Sequence, residues 1–233
     1  MFEGVVFDLD GLLVDSQEWH LQAWNECLKA YKIQLEPEEW ETLVGYRAYD
    51  VAERLRARYD LPDDPLTITE AQQAILLELV ENQSQLEALP GAIEVFEMLK
   101  DNGLKLAIAT PEYKDYVWLI LEKFGLDEMI DVLVTGETMP EIRPSPLPLF
   151  ACAETFAIHP ANCLALAKDR AGVEAAIRAG MKVICVPGPG IPRWRITGAD
   201  VVLSSLEALN MATLRSIWFE IGEEPRPQLY RVR

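Results

Sequence analysis

The sequence predicts a doubly wound, parallel α/β sheet with an all-helical segment inserted after its first strand. Three observations carry that expectation. An apolar run at residues 4–8 stops abruptly in Asp8-Leu9-Asp10-Gly11. Residues 16–89 show helical periodicity and no convincing strand. After Pro90-Gly91, strand-like and helix-like stretches alternate to about residue 203. Such alternation requires right-handed crossovers between parallel strands. With 233 residues, the chain is long enough for one large domain carrying a smaller one. The expected division is residues 1–15 with 90–233 as an α/β core, and 16–89 as a helical domain.

Each element has its own local reason. The run at 4–8 is β-branched and aromatic, uncharged until Asp8, and reads as a buried strand. Trp19, Ala23, Trp24, Cys27, Leu28 and Tyr31 recur at helical spacing, predicting a helix over 16–31. Pro37 sits early in a second helix, where a missing N–H is tolerated. Helices over 50–59 and 69–86 follow, with Pro62-Asp63-Asp64-Pro65 as the turn between them. In the core, helices are expected at 92–102, 113–124, 147–157 and 171–179. Strands are expected at 104–110, 131–135, 163–167, 182–187 and 200–203. Gly103, Gly125 and Gly180 stand where helices would end. Residues 223–233 read as a loosely held tail.

Bulk properties exclude several function classes. The chain carries 21 basic and 38 acidic residues, a net charge of −17. That disfavours nucleic acid, which needs a basic stripe, and anionic membrane surfaces. No apolar run approaches the length of a membrane span. Glu3, Asp8 and Asp10 interrupt the N-terminal region, so it does not read as a secretory signal. The four cysteines, Cys27, Cys152, Cys163 and Cys185, form no Cys-x-x-Cys pair. A reduced, cytoplasmic protein is the simplest expectation. Neither His20 nor His159 adjoins a candidate nucleophile, which argues against serine or cysteine hydrolase chemistry.

The chemistry concentrates at the end of the first strand. Two carboxylates two residues apart need a metal, a shared proton or solvent to stay ionised there. Strand ends of this kind are where open α/β sheets bind ligands. Read alone, Asp-x-Asp is also compatible with a plain solvated junction.

Spacing along the chain adds to this. VVFDLDGLLVDS at 5–16 resembles the first motif of the haloacid dehalogenase superfamily of phosphohydrolases. Glu18, His20, Ala23 and Trp24 fit its branch of β-phosphoglucomutases and helical-cap phosphatases. LAIAT at 106–110 resembles the second motif, and RPSP at 143–146 stands where Lys-Pro-x-Pro is expected. AKDRAGVEAAIRAGMKVICVP at 167–187 resembles the fourth motif. The resemblance implies a Rossmann-like core with an inserted helical cap, and an Mg²⁺-dependent phosphatase acting on a small phosphorylated metabolite. By that resemblance Asp8 is the nucleophile that becomes an aspartyl phosphate, and Asp10 the general acid and base. Asp8, Asp10 (through its carbonyl) and Asp169 hold Mg²⁺, Thr110 and Arg143 hold phosphate, and His20 and Arg47 contact substrate from the cap side. A carboxylate becomes an effective nucleophile toward phosphorus only when positive charge screens the phosphoryl oxygens.

Alternatives stand beside these roles. Thr110-Pro111-Glu112 has the composition of a helix start, with Thr110 as cap. Arg143 replaces a lysine and either clamps two phosphate oxygens or forms a surface ion pair. His20 either marks the cap–core joint or packs under Trp24. Asp169 also suits the N-cap of the helix after it. The largest departure is Lys168, a cation where the family places a second metal-binding acid. It predicts weakened Mg²⁺ binding. If Lys168 bridges the carboxylates of the Asp8–Asp169 cluster, it replaces the metal with a salt bridge; if it folds away from them, metal can bind. Two other functions stand beside the phosphatase: a β-phosphoglucomutase-like phosphosugar mutase, which the resemblance also allows, and a non-catalytic or nearly silent relative with a binding or regulatory role, to which Lys168, Arg143 and Pro111 point. The mutase needs a second phosphate grip, yet no lysine or arginine occurs between Asp60 and Leu99. A monomer or small homo-oligomer is expected.

Overall fold

The computed structural model describes residues 1–83, 86–138 and 144–220. Six parallel strands form one sheet: β1 (Gly4–Phe7), β2 (Lys105–Ala109), β3 (Val132–Val134), β4 (Cys163–Ala167), β5 (Lys182–Cys185) and β6 (Val201–Val202). Their order is β3-β2-β1-β4-β5-β6, which places β1 at the centre. Phe7 lies opposite Ile108 on one side and Leu166 on the other. The strand order reverses direction on either side of β1, so the crevice beyond its carboxyl end is the topological switch point.

Four helices intervene between β1 and the next core element: α1 (Gln17–Leu28), α2 (Pro37–Glu41), α3 (Ala48–Tyr59) and α4 (Pro65–Glu81). They share an apolar cluster built on Trp24, Leu28, Leu35, Val51, Leu55 and Ile68. The remaining helices flank the sheet: α5 (Ala92–Asp101), α6 (Lys114–Phe124), α7 (Leu147–Phe156), α8 (Arg170–Ala179) and α9 (Met211–Glu220).

The two faces of the sheet carry different residues because strand side chains alternate. One face presents Val5, Phe7, Leu106, Ile108, Leu164, Leu166 and Ile184. Phe7 stacks on Phe96 of α5 with centroids 4.0 Å apart. The other face is lined by small residues, among them Ala107, Ala109, Ala165, Ala167 and Cys185. Against it α8 packs Val173, Ala176 and Ala179. A Cβ at Gly172 would lie 3.0 Å from the Ala167 methyl, so the first turn of α8 rests almost directly on β4.

Several boundaries differ from the expectations. Helix α4 begins at Pro65, not 69, because the Asp64 side chain accepts from the Leu66 and Thr67 N–H groups and Pro65 occupies the first turn. It stops at Glu81 instead of 86. The helix expected over 16–31 ends at Leu28 and tightens into a 3-10 turn at Lys29–Tyr31. Gly125 and Gly180 close α6 and α8 in the left-handed conformation, whereas Gly103 lies one position beyond the cap of α5. Helix α9 was not expected; it buries Leu214 and Ile217 against the larger apolar face. The tail at 223–233 lies outside the described residues.

Candidate active site

The backbone turns sharply after β1. The Asp8 N–H still bonds to the Leu166 carbonyl at 3.2 Å, and Leu13 N–H returns to the Leu9 carbonyl at 2.8 Å. This tight turn aims both carboxylates into the crevice above the sheet. Asp8, Asp10 and Lys168 are 7, 6 and 6 % exposed, so three ionisable groups share one nearly dry space.

Lys168 follows β4 directly and settles between the two acids. Its Nζ donates to the Asp10 carbonyl at 2.7 Å and lies 3.5 Å from Asp8 Oδ2. The side chain does not fold away from the acids: it pairs with the Asp8 carboxylate, while its hydrogen bond goes to the main-chain carbonyl of Asp10. Asp169 caps α8, its Oδ1 accepting from Gly172 N–H at 2.8 Å.

Asp10 is surrounded by donors from separate elements. The Tyr116 hydroxyl of α6 donates to Oδ1 at 2.8 Å, and His20 Nε2 of α1 lies 3.5 Å from Oδ2. Glu112 Oε2 stands 3.9 Å from the same imidazole nitrogen. Burial alone would raise the Asp10 carboxyl. The His20 imidazole 3.5 Å away, the Lys168 ammonium and the Tyr116 hydroxyl outweigh it and hold the carboxyl below its ordinary value. For His20, burial works against the charged imidazolium, but Glu112 and Asp10 prevail and raise it. Glu112 is pushed up to about 7, burial being the main cause and His20 the main opposition.

The expected phosphate- and cap-side residues divide. The Thr110 N–H bonds to the Val134 carbonyl, and its buried hydroxyl accepts from Glu112 N–H at 3.3 Å. It does not cap α6, which starts at Lys114 with Tyr113 at its N-cap. Thr110 closes a turn ahead of the helix instead. Thr110, Asp8, Arg47, Gly136 and Ser145 line one cavity. Arg47 forks onto Asp50 through two 2.7 Å bonds while lining it. A second cavity, between helical segment and core, is lined by Asp10, His20, Glu112, Lys168, Trp40, Gln72 and Gln73. His20 therefore faces the site and Tyr116, with ring centroids 5.3 Å apart. Arg143 lies outside the described residues.

Glu112 and Tyr116 escaped the sequence reading. The one local signal was their spacing of four across the start of α6. Gln72 and Gln73, buried in α4 at the cavity wall, were not singled out by the sequence reading either.

These features coincide with a known sequence pattern: the profile described as haloacid dehalogenase-like hydrolase matches residues 5–186. The chain belongs to this family. This hydrolase is 30% identical over 215 residues to hexitol phosphatase B of Escherichia coli K12, covering 90% of this chain and 95% of that protein. Its fold matches crystalline CbbY of Rhodobacter sphaeroides in complex with phosphate, with a TM-score of 0.85 and 27% identity over 92% of this chain and 100% of the other. The β-phosphoglucomutase of Clostridium difficile shares the fold at a TM-score of 0.84 and 20% identity, with 95% and 99% covered. The parallel sheet and inserted helical cap are those of the β-phosphoglucomutase-like branch.

Members of this family generally use Mg²⁺. Among the described residues, Asp10, His20 and Glu112 bring one ligand atom each within 4.8 Å of one another. The position expected for Mg²⁺, against the Asp8 carboxylate and the Asp10 carbonyl, is a different matter. Mg²⁺ demands oxygens at about 2.0–2.1 Å in octahedral array. An ammonium 2.7 Å from the Asp10 carbonyl occupies that space and opposes a second cation. The residues present do not fit Mg²⁺ there while Lys168 keeps this conformation.

Proposed function

We propose that this hydrolase removes phosphate from a small phosphorylated metabolite through an aspartyl-phosphate on Asp8. The supporting observation is the buried pairing of Asp8 with a fixed cation, beside an Asp10 that is wired to a proton-holding imidazole. Asp8 attacks phosphorus: its Oδ–P bond forms as the bond to the leaving oxygen breaks. The leaving oxygen takes a proton from the Asp10–His20 pair. Water then attacks the same phosphorus, Asp10 accepts its proton, and the Oδ–P bond breaks to release inorganic phosphate. Thr110 donates its hydroxyl to a phosphoryl oxygen, and Arg143 and Arg47 supply cationic contacts. Asp169 keeps α8 and Lys168 in place. The helical cap excludes bulk water around the acids.

Mg²⁺ use, which the family resemblance implies, is weakened in this reading by Lys168. The likeness to hexitol phosphatase B makes phosphorylated hexitols the first compounds to test. The cap side offers Trp40, Gln72 and Gln73 to the second cavity, and no basic residue from α4. That favours simple hydrolysis over mutase chemistry, which must grip a second phosphate. Four buried free cysteines suit a reducing, cytoplasmic setting.

A screen of phosphorylated metabolites for phosphate release, with Mg²⁺ and with excess EDTA, tests this. Asp8→Asn should abolish release by the wild type's best substrate. Equal rates in both proteins remove Asp8 as nucleophile, and silence of the wild type toward every compound leaves the binding-protein reading in its place.

A further inference from the structure

We propose that the Lys168 ammonium is the resident cation of this site, so that phosphate binds, and its ester is hydrolysed, without a divalent metal. The hydrolysis part rests on the function proposed above; the binding part does not.

Position supports this first. The Lys168 Nζ bridges two oxygens from different places in the chain, the Asp10 carbonyl at 2.7 Å and the Asp8 carboxylate at 3.5 Å. A phosphoryl group approaching Asp8 meets the ammonium beside the attacking oxygen, where charge must be screened. Ammonium is a compact donor with three hydrogens. The Asp10 carbonyl accepts one of them, and the 3.5 Å approach to Asp8 is an ion pair.

The surroundings are shaped to this side chain. A Cβ at Gly11 would fall 2.8 Å from Lys168 Cδ. One at Gly188 would fall 3.5 Å from Lys168 Cβ, and the Gly188 N–H bonds to the Lys168 carbonyl at 3.0 Å. Two glycines from separate loops thus leave a slot for the methylene stem. Gly11 also has φ +77, a conformation that side chains rarely adopt.

Charge closes the argument. The Lys168 ammonium lies 3.5 Å from the Asp8 carboxylate, so a divalent ion placed beside Asp8 would stand against a fixed like charge in a nearly dry space. The ammonium is permanently attached, so its effective concentration does not depend on the metal supply.

The test measures inorganic phosphate binding by calorimetry in excess EDTA and in millimolar Mg²⁺, and Mn²⁺ binding by electron paramagnetic resonance. Wild type should bind phosphate equally in both buffers and leave the Mn²⁺ signal undiminished. Lys168→Met should weaken phosphate by about tenfold or more, and Lys168→Asp should acquire a Mn²⁺ site that Mg²⁺ competes for. Stoichiometric Mn²⁺ binding by wild type, or phosphate binding that needs metal or is absent, overturns the proposal. Should the Asp variant fail to fold, the wild-type comparison decides alone. Metal-free phosphate binding without turnover of any ester leaves the resident cation standing and removes the hydrolytic reading. Turnover that vanishes in EDTA does the reverse.

Discussion

At the scale of single residues, the site is a chain of proton and charge partners running from Tyr116 through Asp10 to His20 and Glu112. Tyr116→Phe removes one donor from a buried carboxylate, a loss of about 1–3 kcal/mol. Urea melts should register that cost. Because the hydroxyl helps hold the Asp10 carboxyl down, the acidic limb of any activity profile should also move upward in pH. A second prediction concerns stability. Glu112 rises from 4.5 to about 7, and His20 rises from 6.5. Both bind protons more tightly in the folded chain than in the unfolded one, so stability falls as pH climbs. For Glu112 the loss spans 4.5 to about 7, and for His20 it begins at 6.5 and continues through its raised value. Glu112→Gln should flatten the decline between about pH 5 and 8 in denaturant titrations. A gap between variant and wild type that stays constant with pH contradicts it. Asp8 and Asp10 were legible because their spacing and the following glycine are local. The Asp10–Tyr116 bond joins positions 106 apart, and no local pattern encodes such a meeting.

At the scale of elements, strands and the core helices α5 to α8 were read within a residue or two, because hydrophobic period and glycine stops are local signals. The misreadings share a cause. Pro62-Asp63-Asp64-Pro65 has turn composition, yet Asp64 and Pro65 are the cap and first turn of α4. The same residues serve both structures, and the buried face of α4 against α1 and α3 decides between them. Helix α9 packs Met211, Leu214, Ile217 and Trp218 on the core, and Trp218 meets Phe2 edge-on at 5.0 Å. Asp64→Ala should lower the melting temperature through the lost cap and leave turnover unchanged, as Asp64 lines neither cavity. A thermal melt and a rate assay on the same sample check both halves.

For the molecule as a whole, the net charge of −17 opposes the approach of an anionic ester, while Lys168 provides attraction only inside the site. Repulsion between separated charges is screened over about 10 Å at 0.1 M salt. Inert salt should therefore raise kcat/KM for a phosphomonoester, chiefly by lowering KM; a fall would mean that the local field dominates. The fold class was legible from the order of helical insert and alternating core. Sheet order, with β1 at its centre, was not, since it depends on which crossovers pass over which face. Nor could the observed conformation of Lys168 be chosen from sequence, because Gly11 and Gly188 meet it only after folding.

The near-contact of α8 with β4 has a consequence for tolerance to change. In a free helix, replacing Gly172 with alanine would gain about 1 kcal/mol. Here the added methyl must share its space with Ala167, whose backbone runs directly into the lysine that grips Asp10. A shift of a few tenths of an ångström would be passed along one residue of chain to that grip. Gly172→Ala should thus damage turnover out of proportion to any change in melting temperature, a signature of a joint whose fit sets alignment more than strength.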